Sequence, residues 1–250
     1  MDHGILVPDW PAPPGVRAAV TTRRMDGRSQ APFDRMNLGA RCGDDAAAVA
    51  ENRAALVDAL QLPSAPCWLQ QVHGIDVVDA DCAVVGGEPR ADAAVSREGG
   101  AVLAVLTADC LPLLFCADSD AAIAVAHAGW RGLAAGVIEA TLARLGCANG
   151  RVLAWIGPAI GVASYEVGEE VRAAFVDADA GAARAFETSR PGHWRCDLEA
   201  LARRRLAAAG VTSVFGGGFD TFADTRFYSY RREARTGRFA SLVWREPSAS

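Results

Sequence analysis

The chain has 250 residues, of which 51% are hydrophobic and 22% charged, with a formal net charge of −5. That length allows a sizeable core, and the composition is ordinary for a soluble globular enzyme. It shows no basic stripe or acidic tail for nucleic acid or a membrane surface, no apolar run near the roughly 18 residues of a membrane span, and no basic-then-apolar leader at its start.

In chain order, residues 1–15 read as a Pro-rich extended arm and 16–22 as a strand. Residues 22–43 are irregular, broken by Gly27, Pro32 and Gly39. Asp44 or Asp45 caps a helix running to Leu60. Strands at 68–72 and 75–78 flank His73-Gly74, a turn follows at 86–89, and 93–96 is a short strand. The apolar runs 102–107 and 121–126 read as buried strands, each ending in polar residues. A helix over 133–145 ends at Gly146, 152–156 is a strand and 169–177 is helical. Asp197 caps a helix to 209 that Gly210 stops, and 211–215 and 239–244 are closing strands. There is no Rossmann-type glycine fingerprint, because Gly216-Gly217-Gly218 opens no helix. Without repeats or a low-complexity linker, residues 1–250 read as one mixed α/β domain.

All 25 basic residues are Arg. This rules out a Schiff-base lysine, a phosphate-loop lysine and pyridoxal-phosphate chemistry, so a bound anion must be held by Arg, backbone N–H groups or metal. The seven cysteines are an odd number in a chain too large to need staples, which fits a reducing cytoplasm.

Of four histidines, His73 and His127 stand where an apolar stretch meets glycine, and Cys110 stands at a third such place. Two imidazoles and a thiolate are good zinc ligands, and three protein ligands leave the open position of a catalytic site. Asp109, beside Cys110, is placed to orient a ligand or move a proton. The same residues also allow a Cys110 nucleophile with His127 or His73 as base. No local zinc spacing joins the three, and each alone reads more often as core or as a hydrogen-bonded strand end than as a ligand. His3 reads as solvated, His193 as a surface residue in a turn, and Cys42, Cys67, Cys82, Cys116, Cys147 and Cys196 as packing or surface thiols.

The strings Gln71-Val72-His73-Gly74, Thr107-Ala108-Asp109-Cys110-Leu111-Pro112, His127-Ala128-Gly129-Trp130-Arg131-Gly132 and Tyr228-Ser229-Tyr230-Arg231-Arg232 closely resemble one family. It is the YfiH/YlmD type, once called multicopper polyphenol oxidase or laccase-like and now described as purine nucleoside phosphorylase. The resemblance runs from Val16 to Trp244, with the motifs in order. It implies a four-layer α/β/β/α sandwich with mixed sheets and a catalytic Zn2+ on His73, Cys110 and His127. It implies phosphorolysis of adenosine, inosine and guanosine, cleavage of methylthioadenosine, and deamination of adenosine. Further matches are Asn37-Leu38-Gly39, Glu51-Asn52-Arg53, Gly157-Pro158, Tyr165-Glu166-Val167 and Asp197-Leu198. The family's Cys-Thr pair before the aromatic-Ser-aromatic string is replaced here by Asp220-Thr221.

The expected substrate contacts are Asn37, Arg53, Gln71, Arg131, Tyr230 and Arg231. Arg131 is the first choice for phosphate, with Arg231 and Arg53 behind it, because Arg offers bidentate geometry. Trp130, Tyr228 and Tyr230 are the candidates for stacking on a purine. The expected partners are nucleosides and phosphate, with no nucleic acid or membrane and a monomer or small homo-oligomer. Two rivals are weighed. One is an editing hydrolase of peptidoglycan precursors using Cys110. The other is a copper oxidase, disfavoured because four histidines cannot ligate several coppers.

Overall fold

The computed structural model describes residues 4–80, 87–118, 122–146 and 151–247. His3, Cys82, Gly86 of the expected 86–89 turn, residue 121 and Cys147 lie outside them. The elements are β1 (Ile5–Leu6), β2 (Val16–Thr21), α1 (Ala46–Leu60), β3 (Val77–Asp79), β4 (Ala93–Ser96), β5 (Val102–Thr107), β6 (Leu111–Ala117) and β7 (Ile123–Ala128). They continue with α2 (Trp130–Ala135), α3 (Val137–Leu145), β8 (Val152–Ile156), β9 (Glu166–Gly168), α4 (Glu169–Val176) and a 3-10 turn at Ala180–Ala185. The last are β10 (Phe186–Arg190), β11 (His193–Cys196), α5 (Leu198–Ala208), β12 (Ser213–Gly216) and β13 (Phe239–Arg245). Among the described residues no helix is long and apolar enough to cross a membrane.

An antiparallel sheet, β1-β2-β13-β5, and a mixed sheet, β12-β8-β6-β7-β4-β3, stack between helices, with a small third sheet β10-β11-β9, so only the larger of the two stacked sheets is mixed as expected. The side-chain period of two sorts the strands into layers. On β5, Leu103 and Val105 face the space between the sheets, where they meet Leu114, Val125 and Trp155. Their neighbours Val102 and Ala104 face outward, onto Leu56 of α1. On β6, Leu111, Leu113 and Phe115 turn to the opposite layer, against α2, α3 and α5. The expected α/β/β/α order follows from this partition.

Several expected elements shift. Residues 68–72 form no strand and make only the isolated bridge Gln70↔Arg90, just after the bridge Cys67↔Leu103. β6 has no expected counterpart, because Pro112 in a central strand argues against one. Pro112 sits at its second position, before pairing with β8 begins at Leu113, so no ladder N–H is missed there. Its carbonyl accepts from Gly157 N–H at 2.9 Å. The second apolar run pairs over Ile123–Ala128, which places His127 inside β7 instead of after it. The helix expected over 133–145 begins at Trp130 and breaks at Gly136, whose φ is 107°. Asp45 is the cap of α1, accepting from Ala48 N–H at 2.9 Å, while Asp44 turns to Asn37 at 2.8 Å. Within the expected N-terminal arm, β1 adds an edge strand against Val20 and Thr21.

Candidate metal centre and its cavity

The site forms at one open end of the space between the two sheets. Alternation along β7 puts Val125 in that space and Ala126 and Ala128 in the helical layer, so His127 points with Val125. Cys110 stands at the corner between β5 and β6, where Asp109 takes a φ of 92°. His73 stands on an irregular segment with a φ of 62°.

One buried carboxylate holds two of these pieces together. Asp92, fully buried just before β4, accepts from the N–H groups of Val72, His73 and Gly74 at 3.1, 2.9 and 2.7 Å. Its Oδ1 also lies 2.8 Å from Nδ1 of His127. The turn that presents His73 and the ring of His127 are therefore tied to one group, which leaves Nε2 of His127 for the site. Asp92 was not among the candidates from sequence.

The ligating atoms of His73, Cys110 and His127 lie within 4.8 Å of one another, the only group of its kind among the described residues. Sγ of Cys110 is 3.8 Å from Nε2 of His73, and the two imidazole rings meet edge to face at 4.8 Å. Tetrahedral zinc with nitrogen and sulfur ligands would set such atoms about 3.5 Å apart, so the cluster fits one ion with little contraction. Burial opposes the Cys110 thiolate, but the charges and hydrogen bonds of His127 and His73 outweigh it and bring the thiol down to about 6. Burial likewise opposes charge on His127, yet Cys110 and Asp92 push it up to about 9. Gly129 faces the cluster: a Cβ there would lie 2.7 Å from Cδ2 of His73 and 3.1 Å from Sγ of Cys110.

The cluster opens into a cavity of about 460 Å³. Of the expected site residues, Gln71, Asp109, Arg131, Tyr230 and Arg231 line it with the three ligands. Gln71 spends both ends of its amide on the backbone of Leu106, at 2.8 Å each. Asp109 accepts from Oγ1 of Thr221 at 2.7 Å and from the N–H of Arg231 at 2.6 Å, so both its oxygens are engaged. Arg231 crosses the Tyr165 ring at 5.2 Å and donates to the carbonyl of Glu166. Arg131 lies over Trp130 at 4.4 Å. Neither guanidinium pairs with a carboxylate among the described residues.

Three expected contacts lie elsewhere. Arg53 is behind the wall, donating to Oε1 of Glu88 at 2.8 Å and stacked on Trp68 at 4.4 Å. Asn37 is fully buried outside the cavity. Its Oδ1 accepts from Gly39 and Arg238 N–H groups at 2.9 and 2.8 Å, joining two loops of the wall. Tyr228 is sealed between the sheets, its hydroxyl donating to Phe33 O at 2.8 Å, whereas Tyr230 is 56% exposed. His193 opens β11 instead of lying in a turn, and is half-buried.

The family model described as multi-copper polyphenol oxidoreductase laccase matches residues 17–246. This chain belongs to that family. A Pseudomonas aeruginosa protein named purine nucleoside phosphorylase is 58% identical, covering 96% of this chain and 97% of its own length. The Escherichia coli purine nucleoside phosphorylase YfiH is 49% identical over 96% and 98% of the two chains. A crystal structure of a Neisseria meningitidis protein matches with a TM-score of 0.93 and 44% identity, covering 97% and 99%. YlmD from Geobacillus stearothermophilus matches with a TM-score of 0.81 and 30% identity, over 94% of each chain.

Within this laccase-like family, the Asp220-Thr221 departure takes a structural form here. Asp220 accepts from Gly161 and Phe222 N–H groups at 3.0 Å and from the Ser164 hydroxyl at 2.6 Å. Residues the sequence reading missed include Arg41, Glu88, Thr107, Tyr165 and Arg238, all on the cavity wall. Arg41 meets Glu88 at 3.4 Å, and Arg238 donates to the carbonyls of Thr236 and Gly237 at 2.9 Å. Only tertiary folding brings these positions to one wall. Asp92 did carry a signal: it is the lone charge in the apolar string Ala91-Asp92-Ala93-Ala94-Val95.

Proposed function

We propose that this chain is a zinc-dependent purine nucleoside phosphorylase acting on adenosine, inosine, guanosine and methylthioadenosine, with adenosine deamination as a side activity. The observation that carries the reading is the His73–Cys110–His127 cluster opening into a cavity with two carboxylate-free guanidiniums, Arg131 and Arg231, and the rings of Trp130, Tyr165 and Tyr230. The similarity to proteins named purine nucleoside phosphorylase supports it.

The donor set of two imidazole nitrogens and one thiolate sulfur suits zinc. A multi-copper centre would need more histidines than the four in the sequence, and the one candidate group among the described residues cannot seat several ions. Zinc held there supplies Lewis-acid polarisation next to the substrate. In phosphorolysis a phosphate oxygen forms a bond to C1′ of the ribose as the bond from C1′ to the purine nitrogen breaks. Arg131 and Arg231 hold the phosphate through paired N–H donors and offset its charge. Trp130 and Tyr230 offer their faces to the base. Asp109, with both oxygens engaged, positions Arg231 and the turn of Cys110. The substrates are small molecules of a reducing cytoplasm, where free thiols such as Cys42, Cys67 and Cys116 persist.

The test incubates zinc-replete protein with inosine, with and without phosphate. Hypoxanthine and ribose 1-phosphate should appear in equal amounts and only when phosphate is present. Turnover of a UDP-muramoyl precursor with none of inosine would overturn the reading in favour of the hydrolase. Phenol oxidation by a copper-loaded protein that ignores inosine would overturn it in favour of the oxidase.

A further inference from the structure

Buried polar atoms without partners are rare in folded proteins, and each asks for an explanation. Of those among the described residues, only Oγ1 of Thr107 belongs to a residue lining the catalytic cavity. Thr107 is 1% exposed. It ends β5, three positions before Cys110, and its register partner on β13 is Phe239. Alternation along β5 turns it the same way as Leu103 and Val105, into the space between the sheets that His127 also enters. A threonine methyl suffices to fill an apolar corner, so packing alone would favour valine. A hydroxyl held there without an acceptor destabilises the empty protein.

We infer that the Thr107 hydroxyl is a specificity-determining contact for the nucleoside's sugar, hydrogen-bonding one ribose hydroxyl beside the metal cluster. This rests on the phosphorylase reading above. The choice of sugar over phosphate follows from charge. The anion belongs with the guanidiniums of Arg131 and Arg231, whereas Thr107 sits among Leu69, Leu106 and Ala108. Its neutral group both donates and accepts, as a sugar hydroxyl does. Bound substrate then supplies the partner that the protein withholds, and an analogue lacking that hydroxyl leaves Oγ1 unpaired.

The experiment compares the zinc-loaded parent with Thr107→Val and Thr107→Ser, using inosine, 2′-deoxyinosine and 3′-deoxyinosine, and records melting of each protein without nucleoside. Thr107→Val should lower kcat/KM for inosine by about 10- to 100-fold. It should lower it little for one of the two deoxy analogues, so that the parent's preference over that analogue collapses. KM for phosphate should stay within about twofold, Thr107→Ser should retain the preference, and the empty Thr107→Val protein should melt no lower than the parent. Unchanged preferences in Thr107→Val with an active parent would overturn this inference alone. A clear drop in the melting temperature of empty Thr107→Val would also overturn it, by showing that the hydroxyl already has a partner. A parent inert towards every nucleoside, with zinc bound, would overturn the phosphorylase reading and this assignment with it.

Discussion

The floor and the rim of the cavity are built on opposite principles. At the floor, the polar groups that set the geometry are buried and paired. Asp92 satisfies three backbone N–H groups and the His127 ring together, and Gly129 closes the remaining space against His73 and Cys110. At the rim, Arg131 and Arg231 rest on aromatic rings with no carboxylate paired to them among the described residues, and Tyr230 is largely exposed. The floor therefore fixes geometry before anything binds, while the rim keeps charge in reserve for a ligand. Substitutions at the floor should fail through metal binding, and those at the rim through substrate affinity.

The sharpest test of this contrast is Asp92→Ala. It strands three N–H groups and the Nδ1 of His127, so zinc affinity should fall about 10- to 100-fold. Melting should drop by an amount in keeping with roughly 3 kcal/mol or more for a broken buried ion-paired network. Competition with a chromophoric chelator, followed by a melting curve, checks both. Parent-like zinc affinity in a folded variant would remove the floor's central group from the account.

Gly129→Ala comes next. Its φ of −61° and ψ of 155° are open to any residue, so the backbone is not strained. The added methyl's nearest neighbours are the His73 ring and the Cys110 sulfur. Zinc content should fall well below one per chain by elemental analysis while melting stays close to the parent.

At the rim, Arg231→Gln and Arg131→Gln should each raise KM for phosphate about tenfold, near the 1.4 kcal/mol of one charge-assisted contact, with zinc content intact. Arg53→Gln, behind the wall and paired with Glu88, should change that KM less than twofold. Equal effects from Arg53 and Arg131 in phosphate titrations would erase the distinction between lining and backing residues.

The smallest effect lies away from both regions. Burial opposes ionisation of Asp220, but hydrogen bonds from Ser164 and the Gly161 and Phe222 N–H groups hold its carboxyl below the usual range. A depressed folded value stabilises the protein above the unfolded carboxylate value of about 3.9, and that stability is lost as pH falls through the lower folded value. The melting gap between parent and Asp220→Asn should thus be full at neutral pH and narrow in acid. A gap that widens in acid would contradict the sign.

Much of the scaffold was legible because it obeys local rules. β5, β8 and β13 are apolar runs of strand length, and α1 and α5 begin at Asp caps seen to bond Ala48 and Ala200. β6 was hidden by Pro112, since a pattern cannot show that Pro112 precedes the register with β8, which begins at Leu113. The segment 68–72 looked like a strand by its residues, but its backbone groups go to Pro89, Ala91 and Asp92.

By itself the sequence determined the chemistry available: two imidazoles near glycines and a thiolate after an apolar run, cationic contacts supplied only by Arg, and an ordered set of family motifs. These are properties of residue types and spacing, which persist whatever the fold. Only the tertiary structure decided which groups meet. It tied His73 and His127 to one carboxylate 19 and 35 positions away. It moved Asn37 and Arg53 behind the wall and Tyr228 into the core, brought Arg41 and Arg238 forward, and left Thr107 without a partner. The reason is physical: pairing and burial depend on distances in space, and a buried hydrogen bond or an unmet hydroxyl exists only once the layers have packed.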